Sequence, residues 1–204
     1  TPFNIGHGFD PDHPGEPVLT PGPPGAPDCD EVILIGSVIE IDGEYRMWYA
    51  GQGDQDGVRR VCYAVSTDGF RWEKPDLGLM AYAGNTHNNL VELTHEGENQ
   101  IAPWVLYDPD EADPQRRFKM IYEDTPFNIC AVFSPDGLHW TRSKHNPVIG
   151  RLEPGGLVKF NGCYYVNGQG GAIPHPVPGA RKRSMVTYAS YDFEHWTKAV
   201  AMSF

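Results

Sequence analysis

The side chains with chemistry to offer in this chain are mostly carboxylates. Asp28, Asp30 and Glu31 stand together in "GAPDCDEV", Glu98 precedes Asn99 in "EGENQ", and Glu153 opens "EPGGLVKFNGCYY". Carboxyl groups drawn together can do general acid and base work, because burial or a like-charged neighbour keeps one of them protonated while another stays ionised. Two other groupings invite a chemical reading. "GHGFDPDH" gathers His7, Asp10, Asp12 and His13, but a proline-interrupted stretch of this kind reads as a polar turn, and no metal is assigned to it. The cysteines, Cys29, Cys62, Cys130 and Cys163, show no CxxC spacing and are expected as free, buried thiols. No cofactor is expected.

The elements that must position these groups announce themselves through a repeat. "YAVSTDGFRW" ends at Trp72, "CAVFSPDGLHW" at Trp140 and "TYASYDFEHW" at Trp196. Aligned on the tryptophans, Ser66, Ser134 and Ser190 coincide, as do Asp68, Asp136 and Asp192. Two further strand signals precede each copy, such as "ILIGSVIEI", the Asp42-Gly43 turn and "EYRMWYAG" in the first. Four-stranded antiparallel units repeated in this way are propeller blades. The fold class is therefore all-β, a β-propeller with about three blades near residues 28–84, 85–149 and 150–204, after an N-terminal extension over 1–27. In this reading the aspartates form turns, and the tryptophans pack between blades, where a large ring buries much apolar area. The repeat describes architecture. Its "SxDGxxW" core is one residue short of the sialidase Asp box, which argues against that family.

Composition agrees. The 204 residues hold 23 glycines and 19 prolines, which suits many short strands and turns. A formal charge of −11 repels phosphate backbones, so nucleic acid is excluded as a partner, and the short "ARKR" run does not reverse that. No stretch approaches the roughly 18 apolar residues of a membrane helix, so no membrane partner is expected.

"SVIEIDGEYRMWYAG", "YAVSTDGFRWEKPDLGL" and "EPGGLVKFNGCYYV" together resemble the five-bladed propeller glycosidases of glycoside hydrolase families 43 and 32 and a bacterial subgroup of their relatives. The resemblance covers the chain from Asp28 onward. It implies an acidic funnel at the hub, fed by carboxylates from the first three blades, with an oligo- or polysaccharide as the partner. Glu153 matches the family's general acid, although Pro-Gly replaces the family's Gly-Pro order. In the first blade the usual aspartate position is held by Ile35-Gly36, and the resemblance favours Asp28, with Asp30 nearby. In the second blade Ala102-Pro103 stands where "DP" is expected, leaving Glu98 and Asn99 just upstream. Trp104 offers a sugar-stacking face or core packing, and His175 sits in a proline-rich insertion that can rim a pocket.

The first functional reading is a glycoside hydrolase acting through Glu153 and Asp28. Its rivals are a sugar-binding propeller without catalysis and a structural fragment of a larger enzyme. Three blades alone should leave bare the outer flanks of blades one and three, so self-association is expected if the propeller is incomplete.

Overall fold

The computed structural model describes residues 17–93, 99–124, 127–170 and 184–199. The described residues are strands and turns, with one 3-10 turn at Pro114–Arg116 capped by the Asp113 side chain. Three antiparallel sheets follow one another along the chain. The first holds β1 (Glu31–Ile41), β2 (Glu44–Gln52) and β3 (Arg59–Ser66). The second holds β4 (Ile101–Tyr107), β5 (Phe118–Asp124), β6 (Asn128–Ser134) and β7 (Thr141–Arg142), with β8 (Ile149–Gly150) also pairing β6. The third holds β9 (Leu152–Phe160), β10 (Cys163–Gly170), β11 (Ser184–Ser190) and β12 (Thr197–Ala199).

The hairpins form where the sequence places them. Asp42 and Gly43, and likewise Asn161 and Gly162, adopt positive φ at both turn positions, as a tight hairpin turn requires. Blade one departs from the expected four strands: "FRWEKP" contributes a single bridge, Val65 to Glu73. Pro75 has no N–H for a longer ladder, and Lys74 instead sends its ammonium to Asp28, 2.5 Å away.

The repeated motif is a turn built on side-chain oxygens. Asp68 Oδ1 accepts from the backbone N–H groups of Phe70 and Arg71, Ser66 Oγ accepts from Gly69, and the Trp72 indole donates to the Gly69 carbonyl. Asp136 and Asp192 repeat the pattern, each also holding a histidine ring nitrogen, His139 or His195, at 2.7 Å. These serines, aspartates and histidines are no nucleophilic triads, because the aspartate lies between the other two and each serine oxygen is engaged within its own turn. In the third copy Phe193 takes the glycine place at φ 68°. It is fully buried against Phe133, Tyr164 and Trp196, and that packing offsets the backbone strain.

Two seams join the blades. Trp48, Tyr63 and Val61 of blade one pack on Val105, Phe118, Met120 and Tyr122 of blade two, with Trp140 closing the cluster. The Trp48 indole donates to the Gly137 carbonyl at 2.8 Å, and a Cβ at Gly137 would fall 2.7 Å from that ring, so glycine is required there. The second seam sets Ile121, Ile129, Ala131 and Phe133 against Leu152, Tyr164, Val166 and Phe193, with Trp196 at its edge. Each fully buried large side chain in these seams contributes about 1.5–3 kcal/mol. At one end of the second seam Lys119, buried, reaches Glu111 at 2.8 Å, while Asp108 takes Lys159 at 2.6 Å and the Tyr164 hydroxyl at 2.8 Å.

Trp72 differs from its two counterparts. It faces the flank of blade one that no blade covers, and this corrects the expectation that the flank lies bare. Met47, Tyr49, Cys62 and Ala64 on that face are buried under Leu90 and Tyr82 of the connector, with Leu19 and Met80 alongside. Among the described residues nothing covers the outer flank of blade three, as expected: Val158, Phe160, Met185 and Tyr191 are exposed.

Candidate functional site

The inner strands β1, β4 and β9 run in the same direction. Ser37 Oγ accepts from Val105 N–H, and the Trp104 indole donates to the Pro154 carbonyl. The starts of all three strands therefore meet at one mouth. Each of these strands shifts register near that mouth, β1 between Ile33 and Ser37, β4 between Ile101 and Trp104, and β9 opposite Asn167 and Gly168. Bulges of this kind re-aim side chains, and they favour the neighbourhood of functional sites.

The mouth gathers charge from all three sheets. At the start of β3, Arg59 donates from Nε and Nη2 to Glu31 Oε2 at 3.0 and 2.8 Å, while its backbone N–H donates to Asn99 Oδ1. Glu123, 6% exposed at the end of β5, is pushed up from the ordinary 4.5 to about 7 by burial first, then by the charges of Glu153 and Asp124, against the opposing pull of Arg59. Glu153 is exposed on β9, opposite Gln169 of β10. It lines a cavity of 280 Å³ with Phe127, Arg151, Gln169 and Gly170. The arrangement is a buried carboxyl that keeps its proton to near neutrality beside an accessible carboxylate in a pocket. Such a pair can store and donate a proton at physiological pH.

Glu153 and Asn99 thus stand at the mouth, as does Asp30, an exposed residue directly before β1. Asp28 sits elsewhere. It is fully buried on the capped flank of blade one, where Oδ2 accepts from Tyr49 at 2.7 Å and Lys74 at 2.5 Å. Asn89 donates in turn to the Tyr49 hydroxyl. Gly51 makes room for this group, since a Cβ there would lie 2.6 Å from the Asp28 Cβ. Asp28 and Glu153 share no partner among the described residues. Trp104 is half-buried against the second seam. Glu98 and His175 lie outside the described residues, as does "GHGFDPDH". No disulfide joins the four cysteines; Cys62, Cys130 and Cys163 are buried and Cys29 is half-buried.

Sequence reasoning missed Glu123, Arg59, Phe127 and Arg151. Glu123 had a signal. "FKMIYED" is a run whose members are buried on both faces of the sheet, and an acid that ends such a run is desolvated unless paired.

No family model and no curated protein matches the sequence. Solved structures do match. The chain is similar to a family 32 β-fructofuranosidase of Bombyx mori, at 16% identity and a TM-score of 0.53 over 78% of this chain and 32% of that one. It is similar to a family 117 glycoside hydrolase of Zobellia galactanivorans, at 10% identity and a TM-score of 0.56 over 79% of this chain and 53% of that one. A third match is to a structure described for family 130, whose members include hydrolases that target β-1,2 mannosidic linkages in Candida mannan. Identity there is 13% and the TM-score 0.60, over 91% of this chain and 56% of that one. The chain spans about a third to three-fifths of the length of the structures it matches. Blade by blade, its fold is that of the β-propeller glycoside hydrolases.

Proposed function

We propose that the chain carries the acid–base part of a glycoside hydrolase site, with Glu123 and Glu153 sharing the proton taken by the leaving sugar oxygen. One observation supports this above the others: buried Glu123 is pushed up to about 7, in part by the charge of Glu153, which lines the pocket. Hydrolysis needs a proton for the glycosidic oxygen as its bond to the anomeric carbon breaks, and a second carboxylate to take the proton of the attacking water or to attack itself. Glu153 is the member that substrate can touch, and Glu123 replenishes it. For the second role we assign Glu31, whose Oε2 takes both hydrogen bonds from Arg59. Asp28, buried and paired, supports blade one. The test is sugar release from arabinan, xylan and fructan by the protein and by Glu153→Gln. The variant should lose about 10²–10⁴-fold in turnover and keep its affinity; unchanged turnover would remove Glu153 from the mechanism.

A second reading, sugar binding without turnover, draws on the inner strand of blade one. The family's aspartate position falls at Ile35-Gly36, where the chain carries no carboxylate, and a Cβ at Gly36 would overlap the Trp48 carbonyl. Saturable binding with no product from any of the three polymers would favour it.

A further inference from the structure

We propose that Phe127 and Arg151 form a subsite for one sugar ring at the end of a saccharide chain, Phe127 as the stacking platform and Arg151 as the hydrogen-bonding clamp. This rests on the glycosidase reading, since the subsite adjoins Glu153. The first observation is the cavity itself. Its volume of 280 Å³, just under the usual range for ligand sites, is of the size of one sugar ring.

The second observation is how its walls are held. Phe127 and Arg151 both adopt left-handed backbone, at φ 67° and 56°, a conformation that side chains larger than asparagine rarely take. The Leu152 N–H donates to the Phe127 carbonyl at 3.1 Å and ties the two positions together across the β5–β6 and β8–β9 connections. Their strain is kept although neither side chain gains burial by it. The Phe127 ring is 55% exposed, and Arg151 has no hydrogen-bond or ion-pair partner among the described residues. An apolar ring and a guanidinium fork lining one pocket together with Glu153 and Gln169 match the two kinds of surface on a sugar. The ring covers the apolar C–H face, and the fork and the polar pair take the hydroxyls. Trp104, assigned a stacking face from the sequence, is half-buried in the seam with its indole N–H engaged by Pro154, so the accessible aromatic at this pocket is Phe127.

The test separates binding from folding and from turnover. Phe127→Gly and Arg151→Gly relieve the left-handed strain, so each should melt no lower than the parent protein. Made in the Glu153→Gln background, each should weaken binding of arabino-, xylo- or fructo-oligosaccharides at least tenfold by calorimetry, while Phe127→Trp restores it. With Glu153 intact, the product should be monosaccharide alone, released from chain ends. Binding indifferent to both glycine variants, internal cleavage into longer fragments, or no saturable binding by any of these saccharides would overturn the subsite. Binding that depends on Phe127 and Arg151, with no sugar released by the parent protein, would keep the subsite and sink the hydrolase reading.

Discussion

Two acidic groupings at the edges of this molecule are built from the same residue type and differ in what surrounds them. At Asp28 the carboxylate meets an ammonium, a phenol and a bridging asparagine inside blade one. At Glu123 the buried carboxyl meets two further acids, and its guanidinium neighbour is already bonded to Glu31. The first arrangement pairs one carboxylate oxygen, Oδ2, with a cation and a phenol, and leaves Oδ1 buried without a hydrogen-bond partner among the described residues. The second holds a proton up to near neutrality and, through the charge of Glu153, is coupled to an open pocket. A carboxylate's role is set by its partners, and motif position alone could not rank Asp28 against Glu123.

The comparison breaks most visibly in stability. Asp28→Ala leaves the Tyr49 hydroxyl without its acceptor and Lys74 with only the Thr20 carbonyl, and should cost about 3–5 kcal/mol in urea denaturation. Glu153→Gln, on an exposed strand position, should stay within about 0.5 kcal/mol of the parent protein. Equal losses in the two variants would show that both groupings are structural.

A second contrast lies between the two outer flanks. Met47→Ala empties a packed site beneath the connector and should cost about 2–5 kcal/mol, whereas Phe160→Ala on the open face of blade three should cost under about 0.5 kcal/mol. A large loss at Phe160 would mean that this face is covered in solution, and sedimentation would then report the assembly.

The smallest effect sharpens the proton argument. The native chain binds the Glu123 proton more tightly than the unfolded chain does, so this group's contribution to stability falls as pH rises from about 4.5 to about 7. Glu123→Gln removes that dependence. The variant should gain on the parent protein by ~3 kcal/mol at pH 8 and show little gain below pH 4. A constant difference across pH would deny Glu123 its raised affinity for the proton.

Much of the fold was legible because it is local. The Asp-Gly and Asn-Gly turns, the serine–aspartate–tryptophan copies and the strand alternation each act within about ten residues, and the sheets follow them. The blade-one flank was not legible, since its cover comes from Leu19 and the 80–90 connector, which carry no strand pattern to advertise what they pack on. At the mouth, Glu153 and Asn99 had been singled out by their places in "EPGGLVKFNG" and "GENQ". Glu123 was passed over because its meaning depends on Glu153, distant in sequence and adjacent only once blade three docks on blade two.

The sequence by itself determined the blades, their order, their turns and the acidic end of β9. These depend on backbone dihedral preferences and period-two patterning, which neighbouring residues impose on one another. Only the tertiary structure decided which carboxylates share a field, which flank is closed, and that Phe127 and Arg151 face one pocket. Electrostatic coupling and burial depend on distance through space, and the docking of one sheet on the next is what sets that distance.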